Sequence, residues 1–92
     1  MMDKRKFYIN GQWVSPSKPN DYEVINPSTE EAFATISLGS TEDTNAAVSA
    51  AKKALVSWSE SSKDERLNLL EKLLSIYKKR YGEMADAISM EM

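Results

Sequence analysis

Ninety-two residues hold one small domain at most, and a folded chain of this size covers only roughly 60 to 65% of the surface its unfolded form exposes. A 41% hydrophobic and 28% charged composition, with Lys+Arg 12 against Asp+Glu 14 and a net charge of -2, excludes collagen-like, disordered and strongly nucleic-acid-binding classes. There is no Cys and no His, which removes disulfides, thiolate nucleophiles, zinc-thiolate sites, the usual near-neutral general base and the commonest metal ligand.

The positively charged start, Met1 to Lys6, is not followed by the apolar run of a signal peptide, because Asn10, Gly11 and Gln12 interrupt it. No window of about 18 apolar residues exists, so the chain is expected not to span a membrane. With no cysteine to suggest an oxidising compartment, it reads as cytoplasmic. Gly11, Gly39 and Gly82 lie too far apart for a phosphate-cradling loop.

Short aromatic and β-branched segments occupy residues 7–37, read here as two β-hairpins. Phe7-Tyr8-Ile9 and Gln12-Trp13-Val14 flank Asn10-Gly11, the pair that best tolerates the positive φ at both centres of a type I′ turn. Ser15 to Asp21, with two prolines, is a surface loop. Tyr22 to Ile25 and Ala32 to Ser37 form a second pair around Asn26-Pro27-Ser28-Thr29, with Ala32, Ala34 and Ile36 on one face and Phe33 on the other.

The composition changes at Leu38-Gly39-Ser40, and two long amphipathic helices follow. The first, 40–58, opens on Ser40 with Asp43 three residues on. It carries a narrow stripe of Ala47, Val48, Ala51, Ala54 and Leu55 with Trp58 as its terminal anchor. The second, 62–92, opens on a Ser62 to Glu65 capping box. Its stripe from Leu70 through Tyr77 to Ile88 is widened by Leu67, Leu69 and Ile76, more than one packing face requires, and Gly82 predicts a bend or break between Tyr81 and Glu83. No Gly, Pro or basic residue closes the helix before Met92, so the end there reads as a cut.

Other conspicuous groups read as structural. Lys78-Lys79-Arg80 sits among Glu71, Lys72 and Glu83 as a solvated helix face. Trp13, Tyr22 and Phe33 lack the basic groove of a nucleic-acid platform. Glu30 and Glu31 would point to opposite faces of a strand, and Glu42 and Asp43 suit a helix N-terminus.

The segments 7–14, 24–31 and 34–40, continued by 46–55, Trp58, Glu65-Arg66 and 88–92, together resemble the opening of the aldehyde dehydrogenase superfamily. The resemblance implies an α+β fragment: hairpins and helices leading into the Rossmann-like dinucleotide-binding domain of a longer NAD(P)-dependent oxidoreductase. In such enzymes a cysteine attacks the aldehyde, hydride passes to the nicotinamide, and a glutamate helps water release the acid. By the same resemblance the nucleophile, the general base, the oxyanion-stabilising asparagine and the nucleotide-binding segments all lie beyond Met92. This piece is then expected to have no catalytic and no cofactor-binding residues, to be inactive alone, and to have as partners the remainder of the subunit and further copies in a homo-oligomer.

The resemblance also implies a monovalent-cation site formed by the carbonyls of Val24 and Ile25 with the Glu91 carboxylate. The competing reading makes Val24 and Ile25 ordinary ladder residues and Glu91 a solvated carboxylate. An alternative for the chain as a whole is a free-standing helical module that oligomerises through the Leu70 to Ile88 stripe.

Overall fold

A computed structural model describes residues 1–92 as an α+β arrangement of five strands and three helices. In chain order these are β1 (Met2–Lys4), β2 (Phe7–Ile9), β3 (Gln12–Val14), β4 (Asp21–Asn26), β5 (Glu31–Ser37), α1 (Thr41–Trp58), α2 (Lys63–Lys79) and α3 (Tyr81–Glu91). Strands β2 and β3 form a two-stranded antiparallel ribbon, and β1, β5 and β4 form a second sheet in that order. The ribbon turns at Asn10 (φ 55) and Gly11 (φ 75), the positive dihedrals that a two-residue primed turn requires.

In the second sheet β4 and β5 are antiparallel around a four-residue connection whose last residue, Glu30, adopts φ 60 and donates its N–H to the Asn26 carbonyl at 2.8 Å. The Asn26 side chain accepts the Ser28 N–H at 2.9 Å, a local turn that only Asn or Asp makes this readily. The register slips between Val24 and Ile25, which face Ala34 and Ala32, leaving Phe33 as the extra residue of a β-bulge. The bulge interrupts the expected alternation of faces between Ala32 and Ala34, and the buried residues of β5 are Ala34 and Ser37.

Strand β1 is an addition to the expected two hairpins, and the break expected near Gly82 is present but displaced. Met2, Asp3 and Lys4 pair in parallel with Ala34, Thr35 and Ile36. The strand forms through main-chain pairing alone, all three residues being exposed, and its charged residues are typical of a sheet edge. The second expected helix divides at Arg80 (φ -104, ψ 13), not at Gly82. The Arg80 N–H bonds to Ile76 and Tyr77 carbonyls and its own carbonyl accepts Met84 N–H, so the hydrogen-bonded ladder bends there without a gap. The Arg80 guanidinium grips Glu83 at 2.9 and 3.3 Å, and Tyr77 and Tyr81 meet edge to face across the bend.

The molecule is thin and open, with extents of 48 × 34 × 16 Å. The radius of gyration of 16.9 Å exceeds the roughly 12 Å of a compact chain of this length. Of 92 residues, two are buried, Ala34 (4% exposed) and Ser37 (6%). The surface of 7809 Å² exceeds by roughly 2,400 Å² what a compact protein of this mass presents. Beyond the strand pairings, α1 packs against β2, α3 against β4, and α2 against α3 alone.

Candidate functional site

Three exposed polar clusters and one apolar face stand out. The first cluster lies where the 15–20 loop, the end of β5 and the start of α1 meet. Ser40 caps α1: its hydroxyl accepts the Asp43 N–H at 3.4 Å, and its own N–H donates to the Asp43 carboxylate at 3.1 Å. The other Asp43 oxygen accepts the Ser17 N–H at 3.0 Å, the Ser17 and Ser40 hydroxyls are 2.9 Å apart, and Lys18 pairs with Glu42 at 3.2 Å. The backbone N–H groups of Ser17 and Ser40 lower the Asp43 pKa, and the Glu42 carboxyl is also held down, by a backbone hydrogen bond in its own turn and then by Lys18. The expected loop is therefore a strap tied onto a helix start. Ser37 completes it from below, its buried hydroxyl accepting the Asn20 N–H at 3.2 Å.

The second cluster is the Arg5 fork on Asp3 (2.9 and 3.0 Å), with Asp21 at 3.4 Å; Arg5 draws the Asp3 carboxyl down to about 2. The third is the Arg80 to Glu83 pair at the helix bend, where the guanidinium lowers the Glu83 pKa. All three are solvent-exposed ion pairs that fix backbone geometry, and none lies beside a nucleophile or a proton-accepting partner in a closed cleft.

No group of three or more acidic, His or Cys side chains is arranged to hold a metal ion. The helix starts that would favour a pyrophosphate already carry Glu42 and Asp43 on α1 and Asp64 and Glu65 on α2, whose charges repel one. The three glycines lie apart, in the ribbon turn, before α1 and in α3.

Val24 and Ile25 lie on β4 opposite the β5 bulge, where the ladder is irregular, and α3, which ends at Glu91, packs against β4. Glu91 is exposed and belongs to none of the chain's ion pairs. Lys78 and Lys79 close α2 as basic last-turn residues, where they interact favourably with the negative end of the helix dipole. Trp13 (68% exposed) stacks edge to face on Tyr8 across the ribbon at 5.2 Å, a cross-strand pair. Trp58, expected as an anchor, remains 44% exposed.

The apolar face is built on α2. Successive helical positions differ by about 100°, so Leu67, Leu69, Leu70, Leu73, Leu74, Ile76 and Tyr77 spread over about half of the helix circumference. All are exposed, and α2 has no buried residue. Where α2 bends into α3, Leu73, Ile76, Tyr77, Met84 and Ala87 line an open groove of about 330 Å³ with the Arg80 to Glu83 pair on its rim. On α1, the Ala47, Ala51 and Ala54 stripe faces a second shallow groove shared with Tyr8, Asn10 and Gly11 of the ribbon. No helix is long and apolar enough to cross a membrane.

The sequence pattern described as "Aldehyde dehydrogenase family" matches residues 13–92. A 3-succinoylsemialdehyde-pyridine dehydrogenase from a Pseudomonas species is 48% identical over all 92 residues, which span 19% of its length. The crystal structure of an aldehyde dehydrogenase from Bartonella henselae matches the whole chain with a TM-score of 0.99 and 60% identity, again over 19% of that protein. The chain thus spans about a fifth of the length of the relatives it matches.

Proposed function

Because the chain belongs to the aldehyde dehydrogenase family, we propose that it is the N-terminal structural portion of an NAD(P)-dependent enzyme oxidising an aldehyde to a carboxylic acid, and that it has no activity of its own. The observation that carries this reading is the open architecture, which has almost no interior. A chain that buries two residues while its longest stripe of leucines stays in solvent has the form of a part of a larger domain. The agreement of its backbone with about a fifth of a much longer relative supports the same reading.

Within that role the hairpin ribbon and helices lead into a Rossmann-like domain formed by the rest of the subunit, which assembles as a homo-oligomer in the cytoplasm. NAD or NADP, bound elsewhere in the subunit, supplies the hydride acceptor. The residues of this chain position backbone and cover apolar surface. The same reading extends to a monovalent cation held by the Val24 and Ile25 carbonyls and the Glu91 carboxylate, an all-oxygen set suited to a hard ion. The irregular ladder between Val24 and Ile25 and the packing of α3 on β4 support it.

The test follows aldehyde-dependent NAD(P)H formation by absorbance. The 92-residue chain should give none, and the same chain continuous with the catalytic portion of a family member should turn over. Activity in the short chain would overturn the proposal. A closed, monodisperse oligomer of the short chain with a fixed helix end would favour the free-standing module instead.

A further inference from the structure

We propose that Asn10 is a site of spontaneous deamidation, gated by opening of the β2–β3 ribbon, and that its isoaspartate product loosens the ribbon from α1. The reaction needs a carboxamide, the next main-chain nitrogen and water. The Gly11 nitrogen attacks Asn10 Cγ; as the new N–Cγ bond forms, the bond from Cγ to the side-chain nitrogen breaks, and ammonia leaves with the proton that Gly11 gives up. Water then opens the five-membered imide. Addition at Cγ breaks the new bond and leaves an aspartate. Addition at the Asn10 main-chain carbonyl breaks its bond to the Gly11 nitrogen instead, so the chain thereafter runs through Cβ and Cγ as isoaspartate, one backbone atom longer.

Of the five asparagines, Asn10 alone meets these demands. Asn10 and Gly11 are both exposed, and Gly11 has no Cβ to hinder the attack; one placed there would meet no atom within 4 Å, so the nitrogen is uncrowded. Asn26 precedes Pro27, whose nitrogen has no proton to give up, and its side chain already accepts the Ser28 N–H. Asn45 and Asn68 lie within α1 and α2, where the following amides are committed to the helical ladder. Asn20 is held on both sides, its N–H on Ser37 Oγ at 3.2 Å and its carbonyl on the Leu38 N–H at 2.9 Å.

The closed turn protects Asn10. At φ 55 it occupies the left-handed region, where ψ is also positive, about +47°. The Gly11 nitrogen then lies on the far side of the Cα–C bond from Cβ, and attack requires the turn to open. The ribbon resists opening weakly. It has two three-residue strands, its Tyr8 and Trp13 pair stands in solvent, and α1 is the one helix packed on it. Hairpins form in about 1–10 μs, so opening and closing equilibrate before cyclisation and the rate follows the open fraction.

The extra backbone atom of isoaspartate disrupts a two-residue turn whose length fixes the pairing of Phe7 with Val14, Tyr8 with Trp13 and Ile9 with Gln12. Tyr8, Ile9 and Asn10 share a groove with Ala47, Ala51 and Ala54, so loss of register removes the ribbon's seat on α1.

The experiment incubates the 92-residue chain in mildly alkaline buffer, with and without urea, beside Asn10→Gly and Trp13→Ala. Intact mass and peptide mapping follow the exchange of a side-chain amine for a hydroxyl, an enzyme that methylates isoaspartyl carboxylates counts that product, and hydrogen exchange reads the ribbon. Asn10 should convert ahead of the other asparagines, and more slowly without urea than with it. Asn10→Gly keeps a turn-competent pair and should show no conversion there. Trp13→Ala, which loses the aromatic pair, should convert about threefold to tenfold faster in native buffer. In the aged chain the β2 and β3 amides should lose protection while those of α2 keep theirs. Another asparagine converting first, or an Asn10 that persists in native buffer while urea converts it, would overturn the site. Equal rates in native buffer, in urea and in Trp13→Ala would overturn the gate, and ribbon protection unchanged by isoaspartate would overturn its effect on α1.

Discussion

The sheet with its strap and the α2–α3 arm differ in what completes them. Around Ala34, Ser37, Ser40 and Asp43 the chain supplies both partners of every interaction: a central strand between two neighbours, a buried hydroxyl bonded to Asn20, a carboxylate shared by two backbone N–H groups. Along α2 and α3 it supplies one partner only. The backbone is satisfied, the caps are in place, yet no residue of either helix is buried. Hydrogen bonds are short-range and directional, so a local stretch of sequence satisfies them by itself. Apolar burial needs a second surface, which this chain does not bring to α2.

That contrast can be broken most strongly at the one apolar residue with a true interior. Ala34→Leu forces extra methylenes into a site 4% exposed and should cost about 1–3 kcal/mol in the urea-unfolding free energy, or in the chain's solubility where unfolding is not two-state. At the ribbon turn, Gly11→Val meets no neighbouring atom within 4 Å but must adopt φ 75. The strain is purely in the backbone, and a loss of about 1–2 kcal/mol should appear as a lower thermal midpoint. Ser40→Ala removes the α1 cap and should cost about 1 kcal/mol, with faster hydrogen exchange at the Ser17 and Asp43 amides.

A gentler probe is pH. Asp43 has its pKa depressed in the folded chain by the Ser17 and Ser40 N–H groups. Its contribution is therefore fully present above the unfolded carboxyl value of about 3.9 and is lost as pH falls through the lower folded value. Asp3, drawn down to about 2 by Arg5, follows the same sign. A stability profile should be flat from neutral pH to about 5 and then decline with acid; Asp43→Asn should flatten part of that decline. The smallest effect sharpens the comparison from the other side. Leu74→Asp, in a helix face that this chain does not cover, should leave the short chain's stability within about 0.5 kcal/mol, whereas the same change in a longer subunit should be severe.

Local chemistry made much of this architecture legible. Asn10-Gly11 specified its turn because few residues adopt positive φ twice in succession, and Ser40 with Asp43 specified a helix start because orphan N–H groups need an acceptor within reach. The Ser62 cap formed by half: its hydroxyl accepts the Glu65 N–H at 3.1 Å, but the reciprocal bond from Ser62 is not made. What escaped was decided at longer range. Strand β1 has no apolar alternation to announce it and exists because β5 offers a free edge. The bend at Arg80 falls two residues before the glycine that signalled it, where an Arg to Glu pair three residues apart and two tyrosines hold it. That spacing was visible in the sequence, but a salt-bridged helix turn is equally compatible with a straight helix.

The sequence by itself determined the turns, the caps, the apolar stripes and, through the order of its segments, the family, because each depends on residues within a few positions of one another or on a pattern read along the chain. Only the tertiary structure decided that those stripes face solvent, that the Ser15 to Asp21 loop is strapped to α1 through Asp43, and that the whole is thin and open, 16 Å in its shortest extent. Which surfaces meet depends on contacts between residues far apart in the chain, and a stripe of leucines carries no record of whether its cover is present.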